Sequence, residues 1–159
     1  MTVDEFFDLG ETIELGSHTF DAEEIKRFAA KYDPQRFHLD EEAARRSVFG
    51  RLCASGWHSA ATWMKFNAVY LLQKQQMAWP GPGQRPAAGP SPGLRDLKWL
   101  LPVYAGDTIS YTRETVSIRD HQRRPGWKIM SVYARGYNAK GDDVLQFHSG
   151  EFIDVGGGQ

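Results

Sequence analysis

The first clear pattern along the chain is a short strand followed by a capped helix. Residues 11–16 alternate polar and apolar side chains, which is typical of a strand. Asp21 with Glu24 three residues later forms an N-terminal capping pattern, and apolar residues then recur at helical spacing as far as Pro34. The pattern predicts a helix that begins near Asp21 and carries Asp33 at its C-terminal end.

The longest helical pattern runs from Trp57 to about Met77. This stretch contains no proline, and its apolar residues recur at helical spacing: Ala60, Ala61, Met64, Ala68, Leu71 and Leu72. We therefore predict one long, largely buried helix here. A shorter helix over residues 41–46, capped by Asp40, is predicted upstream of it.

The last third of the chain has the pattern of antiparallel strands. Along 109–116 two sets of residues alternate as on the two faces of a strand: Ile109, Tyr111, Arg113 and Thr115 on one, and Ser110, Thr112, Glu114 and Val116 on the other. A turn at 124–126 leads to a second strand over 127–137. The run 138–142 has the composition of a hairpin turn and leads to a closing strand over 144–155. A strand, several helices and then a run of strands indicate an α+β layout.

The stretch between the long helix and these strands is rich in proline and glycine. It includes Trp79-Pro80-Gly81-Pro82-Gly83 and Ala88-Gly89-Pro90-Ser91-Pro92-Gly93, which is the composition of a loop. A loop of this length is usually a lid, a binding loop or a mobile linker, and the sequence favours none of the three.

Length and composition narrow the classes of protein. With 159 residues the chain has the size of one domain, and we predict a single domain over residues 1–155, a loop insertion over 78–94 and a flexible tail over 156–159. The net charge of −1, with charges of both signs interspersed, argues against a nucleic-acid partner.

The remaining features of the composition bear on the cellular compartment. A single cysteine, Cys53, excludes an intrachain disulfide, and a buried apolar role suits it. Residues 1–8 are acidic and lack the apolar run of a secretory signal. No apolar run approaches the roughly 20 residues that span a bilayer. We expect a cytoplasmic protein without a membrane partner.

Two residues with acid–base chemistry stand just after the first helix. Asp33 and His38 are five residues apart, and both side chains exchange protons. Gly56 stands where the long helix begins, and the free N–H groups of a helix start can stabilise developing negative charge. The alternative is that Asp33 with Pro34 only terminates a helix and that His38 is a loop histidine.

At these positions the chain resembles the MaoC-like family of hot-dog-fold dehydratases, which includes the (R)-specific enoyl-CoA hydratases. Asp33 and His38 match the catalytic pair of the family signature in type and spacing, Asp40 matches the acid that follows, and Gly56 matches the oxyanion glycine. Residues 98–108 also resemble the strand pair that the family joins through a Pro-Val-x-x-Gly-Asp element. The resemblance covers nearly the whole chain apart from the proline-rich stretch.

The chain departs from the family signature at several positions. Gln35, Arg36 and Phe37 stand where the signature usually has Asn, Pro and Leu. A hydroxyl that some members carry about two helical turns after the glycine corresponds here to Met64, with Ser59 and Thr62 nearby. The reaction class is therefore better indicated than the substrate, and a plain short straight-chain substrate is not expected.

The resemblance implies a fold, a reaction and a partner. The fold is a long central helix wrapped by a curved antiparallel sheet, in a homodimer whose sheets join edge to edge. The reaction is reversible hydration of a 2-enoyl thioester of coenzyme A, in which Asp33 and His38 activate water and the Gly56 N–H stabilises the enolate. Coenzyme A enters as part of the substrate. No metal is expected, because no His, Cys or Asp cluster has ligand spacing.

Other residues are candidates for substrate contact. We expect the substrate to contact Gln35, Phe37, Ser55, Trp57 and Arg51. Candidates for the phosphates of coenzyme A are Arg45, Arg46, Arg51, Arg95 and Lys98, although a solvated surface role is the better interpretation. Candidates for an acyl pocket are Trp57, Trp63, Trp79 and Trp99, for most of which packing is the better interpretation.

Two other functions stay open. A hot-dog acyl-CoA thioesterase would share fold and ligand, but such enzymes generally use a carboxylate on the central helix, and residues 57–76 contain no Asp or Glu. A non-catalytic subunit that binds acyl thioesters is the second alternative. The presence of both Asp33 and His38 argues against it.

Overall fold

The computed structural model describes residues 1–156 and contains four α-helices and six strands within that range. The helices are α1 (Val3–Phe6), α2 (Ala22–Tyr32), α3 (Glu41–Arg45) and α4 (Gly56–Gln76). The strands are β1 (Thr12–Thr19), β2 (Ala87–Ala88), β3 (Leu94–Trp99), β4 (Thr108–Asp120), β5 (Trp127–Tyr137) and β6 (Asp143–Asp154). The α+β layout is the one that the sequence predicts. Of the proposed tail, residues 157–159 lie outside the described residues.

The strands form a single antiparallel sheet. Its order is β1-β4-β5-β6, and both β3 and β2 pair with the side of β6 that faces away from β5. Strand β3 pairs with the first half of β6, and β2 pairs with the end of β6. The alternation that predicts β4 is confirmed, because Ile109, Tyr111, Arg113 and Thr115 are all buried. These side chains lie on the inner face of the sheet.

The sheet curves around α4. In β1 the pairing register with β4 shifts between Glu14 and Gly16, which is a β-bulge that bends the strand. Gly16 has a φ of +145°, and a Cβ built there would lie 2.9 Å from the ring of Phe66 on α4. A glycine is needed at this point because the strand passes so close to the helix.

The buried face of α4 is not the apolar one that the sequence predicts. Its buried residues are His58, Ser59, Thr62, Trp63, Asn67 and Tyr70. Four of the apolar residues assigned to the core are instead exposed, as is Trp57, namely Ala61, Met64, Ala68 and Leu72. The prediction of a largely buried helix is therefore wrong for this chain alone. The sheet supplies partners for two of its polar groups, because Ser59 bonds Tyr111 and Asn67 bonds Arg113 and Glu151.

Those partners form a network under the second half of α4. Arg113 on β4 is fully buried, donates to Asn67 Oδ1 at 2.5 Å and lies 3.8 Å from the Glu151 carboxylate. Asn67 in turn donates to Glu151 Oε1 at 2.8 Å. The Arg113 guanidinium also stacks 4.2 Å from the ring centre of Tyr70, whose hydroxyl donates to Asp8 at 2.7 Å. Burial lowers the pKa of Arg113, and the carboxylate of Glu151 opposes this.

The proline-rich stretch is held against the domain. Trp79 packs edge-to-face on Phe6 with ring centres 5.4 Å apart, and β2 pairs with the end of β6. The N–H of Gly89 donates to the Phe152 carbonyl at 2.7 Å. These contacts place residues 77–93 over α1 and the far end of the sheet. No helix within residues 1–156 has the length and apolar character needed to span a membrane.

We predict that the buried cluster of Arg113, Asn67 and Glu151 behaves as a unit. Arg113→Ala leaves the Glu151 carboxylate buried and unpaired, so it should lower the free energy of unfolding by about 3–5 kcal/mol. Replacing all three with apolar residues of similar size (R113M/N67L/E151L) should restore most of that loss. Urea unfolding at one fixed protein concentration measures both variants. A triple variant no more stable than Arg113→Ala would contradict this account.

Candidate active site

The end of α2 and the turn after it place the acid–base pair. Pro34 excludes helical geometry at the residue before it, so α2 ends at Tyr32 and Asp33 becomes its C-cap. A single 3₁₀ turn, Arg36–His38, follows and returns the chain toward α4. The two side chains therefore come from one bend.

His38 is fixed by the backbone of a neighbouring segment. Its side chain is 7 % exposed, and its Nδ1 lies 2.7 Å from the carbonyl oxygen of Cys53. Because a carbonyl only accepts, Nδ1 carries the hydrogen of the neutral ring and Nε2 carries the lone pair. Nε2 lies 3.4 Å from Asp33 Oδ2, so the lone pair and the carboxylate face the same space.

Asp33 receives a hydrogen bond on each carboxylate oxygen. Ser55 donates its hydroxyl to Oδ2 at 2.7 Å, and Gln35 donates its amide to Oδ1 at 2.7 Å. Burial on its own raises the pKa of Asp33, but these two donors and the nearby His38 outweigh it, so the pKa lies below its ordinary value. The carboxylate is therefore ionised at neutral pH.

A second contact holds α2 against α4 behind the pair. Glu24 on α2 lies 3.1 Å from Nε2 of His58 on α4 and 2.8 Å from Nε2 of His18 on β1. The His58 ring also stacks flat on Phe28, with ring centres 4.4 Å apart. Burial lowers the pKa of His58 despite the carboxylate beside it. Neither His58 nor Trp63 lines the cavity that contains Asp33 and His38.

The start of α4 faces the acid–base pair. Ser55 is the N-cap, and its Oγ accepts the N–H of Trp57 at 3.3 Å. Gly56 is the first helical residue, so its N–H has no partner within the helix. A Cβ built at Gly56 would lie 2.3 Å from the indole of Trp99. Here the space that glycine leaves is occupied by a tryptophan ring of the protein itself.

These groups line a cavity of about 540 Å³. Its wall contains Asp33, Gln35, Phe37, His38, Ser55, Gly56 and Trp57, together with Phe49, Cys53, Ala54, Ser59, Trp99, Leu100, Leu101, Pro102, Val103 and Val144. Seven of the eight site residues expected from the sequence thus meet in one place. Arg51 does not, because its guanidinium stacks 4.0 Å from the ring centre of Tyr104, outside the cavity.

Of the four candidate tryptophans, two reach the cavity. Trp57 and Trp99 pack edge-to-face with ring centres 5.1 Å apart at its wall. Trp63 lies in the core and donates to the Thr112 carbonyl at 2.8 Å, while Trp79 packs on the N-terminal helix. The basic residues suggested for phosphate contacts are absent from the cavity wall, and Arg45 and Arg46 pair with Glu42.

The hydroxyl beside Asp33 is not one of those expected within the long helix. Ser59 bonds Tyr111 at 2.9 Å, and Thr62 donates to the His58 carbonyl at 2.8 Å. Ser55, at the helix cap, supplies the contact instead. Sequence reasoning also missed the Cys53 carbonyl and the wall from Leu100 to Val103. A backbone acceptor leaves no trace in residue types, but the apolar run at 100–103 was a signal.

A sequence comparison agrees with this geometry. The family model described as FAS1-like, dehydratase domain region, matches residues 8–147. The chain belongs to this dehydratase family. The match spans the acid–base pair, the helix start and most of the sheet, so the resemblance that the sequence suggested is confirmed.

Individual relatives of this dehydratase family support the assignment. A Bacillus subtilis (strain 168) protein, the uncharacterized protein YdeM, is 37 % identical over 146 residues, which is 92 % of this chain and 94 % of the relative. A MaoC-like dehydratase from Rhodospirillum rubrum is 31 % identical with a TM-score of 0.75, covering 94 % of both chains. The (R)-hydratase from A. caviae involved in PHA biosynthesis, 24 % identical with a TM-score of 0.62 over 93 % of this chain and 96 % of that one, has the same fold. The hot-dog fold is confirmed.

We predict that Gly56 and Trp99 are coupled by packing. Gly56→Ala places a methyl group against the indole, so it should displace the ring and cost about 1–3 kcal/mol in the free energy of unfolding. In a Trp99→Ala background the same change should cost much less, and urea unfolding of the four proteins gives the coupling. An equal cost in both backgrounds would show that the ring is not the obstacle.

Proposed function

We propose that this dehydratase-family chain catalyses reversible hydration of a 2-enoyl thioester, an acyl-CoA, to the 3-hydroxyacyl thioester. The observation that carries the proposal is the 3.4 Å approach of Asp33 Oδ2 and His38 Nε2 at the wall of a cavity, beside the free N–H of Gly56. This reaction needs two elements: an acid–base pair of side chains that activates water, and a hydrogen-bond donor for the enolate oxygen.

The pair is arranged to hold one water. The ionised carboxylate and the His38 Nε2 lone pair are both acceptors, so a water between them donates one hydrogen to each. In hydration its oxygen bonds to C3 of the enoyl group while one O–H bond breaks and the proton moves onto the pair. The pair then returns a proton to C2. Dehydration follows the same steps in reverse.

The start of α4 supplies the second element. As the C3–O bond forms, negative charge moves onto the thioester oxygen. The Gly56 N–H points from the positive end of a helix of 21 residues, where it stabilises such charge. Donors of this kind contribute about 2.7–4 kcal/mol each to catalysis in other enzymes.

The rest of the cavity suits an apolar acyl group. Besides the polar side chains, the wall contains aromatic and aliphatic residues, namely Phe37, Phe49, Trp57, Trp99, Leu100, Leu101, Val103 and Val144. Burial of a hydrocarbon chain there contributes about 25 cal/mol per Å². In the proposed complex the reactive double bond lies beside Asp33 and His38.

We predict that both members of the pair are needed for turnover. Asp33→Asn removes the charge and His38→Gln removes the proton-accepting nitrogen, so each should lower kcat/KM for an enoyl-CoA by at least about 100-fold. Loss of the conjugated enoyl absorbance measures hydration. A thiol reagent in a parallel assay measures thioester hydrolysis, which should stay at background.

Two matched variants control for the loss of charge and of imidazole. Asp21→Asn keeps the cap of α2, and His121→Gln changes an exposed hairpin, so both should retain the activity of the unmodified protein. Wild-type turnover by either Asp33→Asn or His38→Gln, with folding intact by circular dichroism, would refute the mechanism. Release of free thiol without hydration would favour a thioesterase instead.

We infer further that the partner of this chain is a second copy of itself. The outer face of α4 exposes Trp57, Met64 and Leu72 by 51 %, 42 % and 56 %. Trp99, at the end of the edge strand β3, and the next two residues, Leu100 and Leu101, are also exposed. An apolar stripe on a central helix beside an open sheet edge supports a homodimer, since contact with a like surface would remove both from water.

We predict that charges on the exposed stripe of α4 separate the copies. Met64→Glu combined with Leu72→Glu should halve the mass measured by light scattering after gel filtration, because two carboxylates would be buried in the contact. Val48→Glu, at a residue that is 94 % exposed on a loop, should leave the mass unchanged. A wild-type protein of monomer mass at micromolar concentration would contradict the inference.

A further inference from the structure

Ser55 has two simultaneous hydrogen bonds through one oxygen. Its Oγ accepts the N–H of Trp57 at 3.3 Å and donates to Asp33 Oδ2 at 2.7 Å. The residue is 1 % exposed, so water does not compete for either bond. This one hydroxyl therefore joins the start of α4 to the carboxylate at the end of α2.

These bonds leave Ser55 little capacity for substrate. A serine hydroxyl has a single hydrogen, and here that hydrogen is used on Asp33. One of its two lone pairs is used on the helix N–H. The expectation from the sequence was that Ser55 contacts substrate, whereas its contacts are those of a residue that orients another side chain.

The position of the Ser55 contact decides what it does to Asp33. Ser55 and His38 approach the same carboxylate oxygen, Oδ2, at 2.7 Å and 3.4 Å. Gln35 holds the other oxygen, so the carboxylate cannot rotate without breaking one of two bonds. With the rotation fixed, the remaining lone pair of Oδ2 has one direction in which to receive a water hydrogen.

We propose that Ser55 is a positioning residue of this site, which fixes the Asp33 carboxylate in the orientation that shares a water with His38. The inference rests on the proposed function for its kinetic consequence only. The contact itself ties the Asp33 carboxylate to the same helix start that holds the Gly56 N–H. A shift of α4 therefore moves this carboxylate and the oxyanion donor together.

The groups that face Asp33 define what the loss of Ser55 does. They are Gln35 from the turn after α2, His38 from the 3₁₀ turn, Ser55 from the cap of α4, and the thiol of Cys53. Burial, together with the charge of Asp33, raises the pKa of Cys53 to about 11, so this thiol is neutral. Without the Ser55 hydroxyl, the burial of Oδ2 is no longer offset and the pKa of Asp33 should rise.

The test replaces Ser55 in three ways. Ser55→Ala removes the hydroxyl and the helix cap, Ser55→Gly removes the hydroxyl but remains an adequate N-cap, and Ser55→Thr keeps both. The Asp33 carboxyl is followed by NMR of protein labelled with ¹³C-aspartate, with Asp33→Asn to assign its signal. Removal of the hydroxyl should raise the pKa of Asp33 by about one unit.

Kinetics supply the second readout. At a pH where Asp33 stays ionised, kcat should fall about tenfold in Ser55→Ala and Ser55→Gly, with little change in KM. Ser55→Thr should restore both kcat and the Asp33 titration. Asp21→Ala, which removes the cap of α2 but no contact to Asp33, should lose stability without lowering kcat or moving the Asp33 titration.

The outcomes separate this inference from the proposed function. An Asp33 titration that is unmoved in both Ser55→Ala and Ser55→Gly overturns the positioning role. A wild-type protein that hydrates no enoyl thioester overturns the proposed function, while the NMR titration still decides whether Ser55 holds Asp33. A pKa of Asp33 that rises with no change in kcat also counts against the positioning role, since the orientation would then not matter to turnover.

Discussion

The site depends on the contact between the end of α2 and the start of α4. The two elements are separated by 22 residues at the Asp33–Ser55 hydrogen bond, and the Glu24–His58 contact fixes the same two helices further back. Each end is set locally, by a proline after α2 and by a serine cap before α4. Their juxtaposition turns two ordinary helix ends into a carboxylate, an imidazole and a free amide around one space.

The interior of the domain is arranged in an unusual way around α4. Hydrophobic periodicity assigned the apolar residues of this helix to the core, but the sheet carries Arg113 and Glu151 on its inner face. These charges need polar partners, and Asn67 on α4 provides one. The apolar residues are then left on the outer face. In the assembly that we propose, a second copy covers them, so the apolar residues of α4 pack at a subunit interface and not in the core of one chain.

Most of the helices and strands could be predicted from local sequence patterns. The features that could not be predicted depend on contacts between residues far apart in the chain. Turns at residues 124–126 and 138–142 placed the strands, because proline, glycine and asparagine set backbone geometry within a few residues. Type and spacing left the role of Asp33 and His38 open, and the resemblance to the family signature singled the pair out. The placement of Trp99 over Gly56 was not, since it depends on where an edge strand ends relative to a helix 43 residues earlier in the chain.

The hydrogen bonds around Asp33 also bear on how the pair divides its work. A carboxylate whose pKa lies below the ordinary value is a weak proton acceptor, so donors that keep it ionised reduce its strength as a base. The same donors keep a full negative charge 3.4 Å from His38 Nε2. That charge stabilises the imidazolium that forms when Nε2 takes a proton, while the Cys53 carbonyl already holds Nδ1–H. In the reaction that we propose, the arrangement favours His38 as the group that carries the proton and Asp33 as the charge that makes this possible.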